Sequence, residues 1–125
     1  ADIKKMLVGK GGAVAHLATN DFREIVSRAE AGDVECATFL KAFCISVAKY
    51  IGSMAVVVGG KVDGIVLTGG IAYSNYITSE ITSMVEFIAP VDVYAGENEL
   101  ESLAENGYGI LAGEFDIKYY HPDHF

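Results

Sequence analysis

Between Asp33 and Gly59 the chain sets apolar residues at alternating steps of three and four: Ala37, Leu40, Cys44, Val47, Ile51, Met54 and Val58. Residues so spaced share one helical face, and the pattern predicts a long helix. Phe39, Phe43, Ile45, Tyr50 and Val57 widen the stripe, leaving a thin polar face with Glu35, Lys49 and Ser53. A helix this apolar is expected to be covered over most of its circumference. Asp33 is its expected cap and Gly59–Gly60 its stop. Beyond it, "VDGIVL" is a continuous apolar run, which predicts a central strand covered on both faces. Ile77, Ile81, Met84 and Ile88 again have helical spacing. "APVDVYAG" predicts a second strand, with Pro90 at its entry, where a missing donor is tolerated. In "NELESLAENGYGIL", a further helix, Asn98 and Glu101 are spaced as a capping pair.

The first residues are patterned more weakly. "DIKKML" suits a helical turn ended by "GKGG", and "AVAHLATND" suits a short extended segment. Thr19, Asn20 and Asp21 all favour capping of "FREIVSRAEAG", a short helix ending at Gly32. "EFDIKYYHPDHF" suits a short strand and a frayed tail. Strands alternating with helices imply an α/β fold with parallel pairing and right-handed crossovers. Two strong strands are few for a stable layer. The segments near residues 13–18 and 115–119 are therefore expected to complete the sheet, and the chain is also expected to be part of a larger protein.

Composition narrows the function more than the fold. The 125 residues suit one domain, and 51% apolar with 21% charged residues is globular. No charge-free apolar stretch approaches the roughly 18 residues of a membrane span, so no membrane partner is expected. The start lacks the apolar region of a secretion signal. A formal charge of −8 argues against a nucleic-acid partner, which needs a basic stripe. Cys36 and Cys44 would lie roughly 12 Å apart along one helix, too far for a disulfide. Two buried thiols fit a reducing, cytoplasmic setting. CxxC, HExxH and an ordered Ser/His/Asp set are missing. His121 and His124 read as part of the tail rather than as a metal pair, and His16 as an ordinary residue of a short buried segment.

Three stretches carry candidate chemistry. "IVLTGGIAYS" ends an apolar strand on Gly69–Gly70. Glycines there serve either a tight turn or a backbone laid bare for a ligand at the carboxyl end of the strand. The third glycine of a dinucleotide fingerprint and the lysine of a Walker loop are both missing. "TNDFREI" reads either as a plain capped helix or as Asp21 and Arg23 beside a ribose or phosphate, with Phe22 as an apolar wall. The glutamates of "AGENELE" favour a helix N-terminus, or one of them reaches Mg²⁺ held mainly by phosphates and water.

Together, "GKGGAVAHLATNDFREI", the block from "AGDVECATFL" to "IVLTGGIAYS" and "APVDVYAGENELESLAE" resemble the C-terminal part of butyrate kinases, within the acetate kinase family. The resemblance runs from about Gly9 to about Leu111, and "GGIAYS" is more similar to the butyrate than to the acetate branch. It implies the C-terminal half of a ribonuclease H-like, actin-like ATPase fold, with a small, mostly parallel sheet covered by helices and one long central helix. Residues 1–125 would be a single nucleotide-binding domain of a larger two-domain kinase. That kinase would transfer phosphate between ATP and a short-chain carboxylate. The resemblance implies that Asp21, Phe22 and Arg23 lie near the adenosine, and that Gly69, Gly70 and Ile71 follow the ribose and α-phosphate. Ser74 stands where the acetate enzymes carry an asparagine. Glu99 matches the glutamate associated with Mg²⁺, with Glu97 close by. The phosphate loop and the groups that hold the transferring phosphoryl have no counterpart here, so the isolated chain is expected to be inactive. The alternative is a non-catalytic nucleotide-binding or oligomerisation module. Residues 37–58 are the candidate contact of a homo-oligomer, or else ordinary core.

Overall fold

The structure, a computed structural model, describes residues 2–7 and 9–117. Six helices and two strands are described, in the order α1 (Asp2–Leu7), α2 (Ala13–Leu17), α3 (Phe22–Glu30), α4 (Val34–Val57), β1 (Ile65–Gly69), α5 (Asn75–Val85), β2 (Val91–Ala95) and α6 (Glu99–Leu111). A 3₁₀ turn, Gly70–Tyr73, joins β1 to α5.

Asp33 starts α4 as its sequence position requires, and it also ends α3. Its Oδ1 accepts from the N–H groups of Glu35 (3.0 Å) and Cys36 (3.1 Å). Its Oδ2 accepts from Arg28 Nε (3.0 Å) and Nη2 (2.8 Å). The Cys36 N–H and then the Arg28 guanidinium hold the Asp33 carboxyl down at about 2. One carboxylate thus fixes the angle between two helices. At the far end, Gly59 and Gly60 adopt φ of 63° and 75°, and Gly60 N–H donates to Ala55 O at 2.8 Å, a Schellman-type stop.

The core lies where α4 packs on α3 and α5. Ile25, Cys36, Leu40, Cys44, Ile77 and Val85 are its most completely buried side chains. Phe22 sits against Phe39 and Phe43, with ring centroids 6.3 and 4.9 Å apart. Both cysteines are free and buried, and burial pushes each thiol upward. The expected cover over most of the α4 circumference fails: in its first half only the face of Cys36, Leu40 and Cys44 is buried, while Val34 and Ile45 are exposed. Val47 and Ile51 are half-buried, Met54 is 61% exposed, and Val56, Val57 and Val58 lie open. By length and composition α4 could cross a bilayer, but its first half is spent on helix packing.

β1 and β2 pair in parallel, in register from Ile65↔Val91 to Gly69↔Ala95, with α5 as the crossover. Three expectations fail here. β1 is covered on one face only: Ile65 and Leu67 join the core, whereas Val66 is 59% exposed and Thr68 is exposed. The 13–18 segment is helical rather than extended, because Ala13 and Leu17, four apart, bury one side of a single turn against α4. Residues 115–117 form no strand: the Phe115 ring folds back onto Gly109, where any Cβ would overlap it. Residues 118–125, with His121 and His124, lie outside the described residues. The sheet therefore has two strands among the described residues, and it depends on helix packing for support. His16 is exposed, its ring 6.0 Å from Phe39, not buried as expected. The Asn98 side chain makes no cap bond, so the expected pair with Glu101 does not form.

Candidate functional site

The two strand ends are tied together by main chain. Gly69 N–H donates to Gly96 O at 3.2 Å and Gly96 N–H to Gly69 O at 3.1 Å, while Thr68 Oγ1 donates to Gly96 O at 3.3 Å. Gly69 has φ +85° and Gly96 φ +101°, conformations that side chains disfavour. Gly96 is also squeezed, since a Cβ there would lie 2.5 Å from the Tyr73 hydroxyl. The turn explanation therefore accounts for Gly69. It does not account for Gly70, which has no positive φ and whose missing Cβ would meet nothing within 4 Å. Neither backbone strain nor crowding requires residue 70 to be bare.

Facing that bare backbone is the start of α3. Asp21 caps the helix, its Oδ1 accepting from Arg23 N–H at 2.9 Å. The same carboxylate takes the Arg23 side chain in a fork, Nε to Oδ1 at 3.0 Å and Nη2 to Oδ2 at 2.8 Å. The Arg23 guanidinium holds the Asp21 carboxyl at about 2, and Arg23 is raised in turn. Arg23 remains 92% exposed, so the fork aims the guanidinium without burying it. On the other side Ser74 caps α5, its Oγ accepting from Ile77 N–H at 3.4 Å.

Phe22, Arg23 and Val26 on one side, and Gly70, Ile71 and Ser74 on the other, line one open cavity of about 380 Å³. Five of the seven nucleotide candidates thus share a cavity. Asp21 and Gly69 are not in its lining: Asp21 orients Arg23, and Gly69 ties the strand end to Gly96. Glu99 opens α6 in an exposed position, whereas Glu97 is the carboxylate at the strand end, its Oε1 3.9 Å from where a Gly69 Cβ would be. Sequence reasoning missed Val26, Ser27, Glu30 and Tyr73, the rest of the lining. The four-residue recurrence of Phe22, Val26 and Glu30 was a usable signal for the α3 wall. Nothing local marks Tyr73.

A larger groove of about 580 Å³ between α2 and α4 is lined by His16, Phe39 and Phe43 among others. It lies away from the strand ends and includes none of the candidate residues. Among the described residues, no three His, Cys, Asp or Glu side chains gather to hold a metal ion.

Residues 1–106 match the Acetokinase family. The chain is 48% identical over 120 residues to a probable butyrate kinase of Clostridium botulinum (strain Alaska E43 / Type E3), covering 96% of this chain and 34% of that protein. It is 47% identical to a probable butyrate kinase of Bacteroides thetaiotaomicron, over 95% of this chain and 34% of that protein. The same identity and coverage hold for butyrate kinase 1 of Clostridium acetobutylicum. The chain spans about a third of the length of these curated relatives.

Proposed function

The chain belongs to the acetokinase family, and from that premise we propose that it forms the adenosine side of a carboxylate kinase moving phosphate between ATP and a short-chain acid such as butyrate. The observation that carries this reading is Gly70: bare main chain, unexplained by backbone strain or crowding, lining one cavity with Arg23 next to the carboxyl end of β1. Asp21 orients Arg23 toward the ribose and phosphates, Phe22 walls the adenosine, Gly69, Gly70 and Ile71 follow the ribose and α-phosphate, and Ser74 contacts the nucleoside. Glu99 reaches the Mg²⁺ that the phosphates carry, with Glu97 as the nearer alternative.

The domain is the C-terminal, ribonuclease H-like half of a two-domain cytoplasmic enzyme, and the acid binds through the other half. Holding a transferring phosphoryl group demands several preorganised cations or dipoles. This cavity offers Arg23 and main chain, so the chain alone is inactive. The exposed apolar second half of α4, around Tyr50, Met54 and Val57, favours a homo-oligomer. Sedimentation of a clean monomer at high concentration would remove that part.

Titrating Mg-ATP while following backbone amides tests the core of the reading. Gly69, Gly70 and Arg23 should shift together, and Gly70→Val should abolish the shift while the fold persists. Shifts confined to the α2–α4 groove, or none at all, would refute it. Glu99→Gln should weaken the Mg²⁺ dependence of binding and Glu97→Gln should not; the reverse result moves the metal role to Glu97.

A further inference from the structure

The charged residues of α3 and its cap are almost all occupied. Asp21 holds Arg23, Glu24 accepts from Thr19 Oγ1 at 2.9 Å and lies 3.6 Å from Arg28, and Arg28 holds Asp33 at 2.8 Å. Glu30 is the exception. Its carboxylate has no ion-pair or hydrogen-bond partner among the described residues, and it lines the cavity. Ser27, one turn earlier, lines it too, and its hydroxyl is likewise free of side-chain bonds among the described residues. Going along α3, the wall changes from a cation at Arg23, through the apolar Val26, to a hydroxyl and an anion.

That gradient orients a ligand. Arg23 and Glu30 are seven residues apart on α3, roughly 10 Å along the axis. An anionic phosphate is drawn to the Arg23 end, where the helix dipole is also positive, and repelled from Glu30. The distance is about one Debye length at physiological salt, so the repulsion fades where attraction is wanted. The uncharged base is left for the Glu30 end. An ionised carboxylate only accepts hydrogen bonds, so it favours a base that presents N–H donors and disfavours one that presents a carbonyl oxygen.

We propose that Glu30, with Ser27 beside it, is a specificity-determining residue that accepts from the exocyclic amino group of adenine. The assignment rests on the nucleotide reading above and adds the feature by which the site tells one purine from another. The 6-amino group donates to Glu30, and Ser27 Oγ donates to a neighbouring ring nitrogen.

The test compares two ligands on the full 125-residue chain: Mg-ATP and Mg-purine riboside triphosphate, which lacks the amino group. Unaltered protein should bind ATP about three- to tenfold more tightly. Glu30→Ala should bring the ratio to about one by weakening ATP alone, whereas Ser27→Ala removes a bond to a ring nitrogen that both ligands keep, and should weaken both while leaving the ratio in place. A merely structural role for Glu30 would change both ligands equally and leave the ratio intact. Glu30 is exposed in the last turn of α3, and circular dichroism of each variant verifies the fold. If ATP binds but its advantage survives in Glu30→Ala, the Glu30 assignment is wrong and the nucleotide reading stands. If neither ligand perturbs Gly69 or Gly70 in the unaltered chain, both fall together.

Discussion

The two halves of α4 are alike in composition and opposite in surroundings. In the first half, Cys36, Leu40 and Cys44 are fully buried between α3 and α5. In the second, Tyr50, Met54, Val56 and Val57 carry equally large apolar groups into solvent. The difference lies in what the neighbouring elements reach. α3 and α5 cover only the first stretch of the helix, held there by the Asp33 hinge, while β1 returns without crossing the second. An apolar stripe records that a surface can be buried, and only its neighbours decide whether it is. The bare half, like the open face of β1, is where a further part of a larger protein or a second copy would gain most.

Truncation on the two halves should separate them most widely. Leu40→Ala, fully buried, should cost about 2–5 kcal/mol in chemical denaturation, whereas Met54→Ala should stay within about 0.5 kcal/mol. A comparable loss at Met54 would mean that the second half is covered in solution, and a concentration-dependent loss would identify a second copy as the cover. The next largest effect belongs to the strand ends. Gly96→Ala forces an L side chain to φ +101° against Tyr73 and should cost about 1–3 kcal/mol. Amide exchange at Gly69 should accelerate with it, and Tyr73→Phe should recover part of the loss.

The hinge should respond to acid. Asp33 is held at about 2 against an ordinary 3.8, so its contribution is complete above the ordinary value and declines as pH falls toward about 2. Urea midpoints should drop as pH falls from about 4 toward about 2, and less in Asp33→Asn, which has no carboxylate to protonate. An unchanged pH dependence in that variant would free the α3–α4 junction from this carboxylate. The smallest effect is a null one on stability. Cys36 and Cys44 are buried with raised thiols and should resist a thiol reagent until unfolding. A cysteine introduced by Met54→Cys should react at once.

Much of the arrangement was legible because it rests on local chemistry. The Asp33 cap, the Gly59–Gly60 stop, Pro90 before β2 and the parallel pairing follow from residues that act within a few positions of themselves. The candidate site was legible to the same extent: its bare glycines and the Asp21–Arg23 pair are local devices. Failures came where a distant partner decides. A single turn at 13–17 is helical because α4 receives it, Phe115 abandons the sheet because Gly109 leaves room for its ring, and Glu30 enters the site because α3 and the 3₁₀ turn line one cavity.

By itself, then, the sequence determined where the strongly patterned elements lie and what caps and stops the long helix, since capping, backbone freedom and periodicity act within a turn or two. The tertiary structure alone decided which half of α4 is covered, that Gly70 is bare without structural need, and which carboxylates face the strand ends. Those depend on groups that lie far apart along the chain and are brought to one place only by packing.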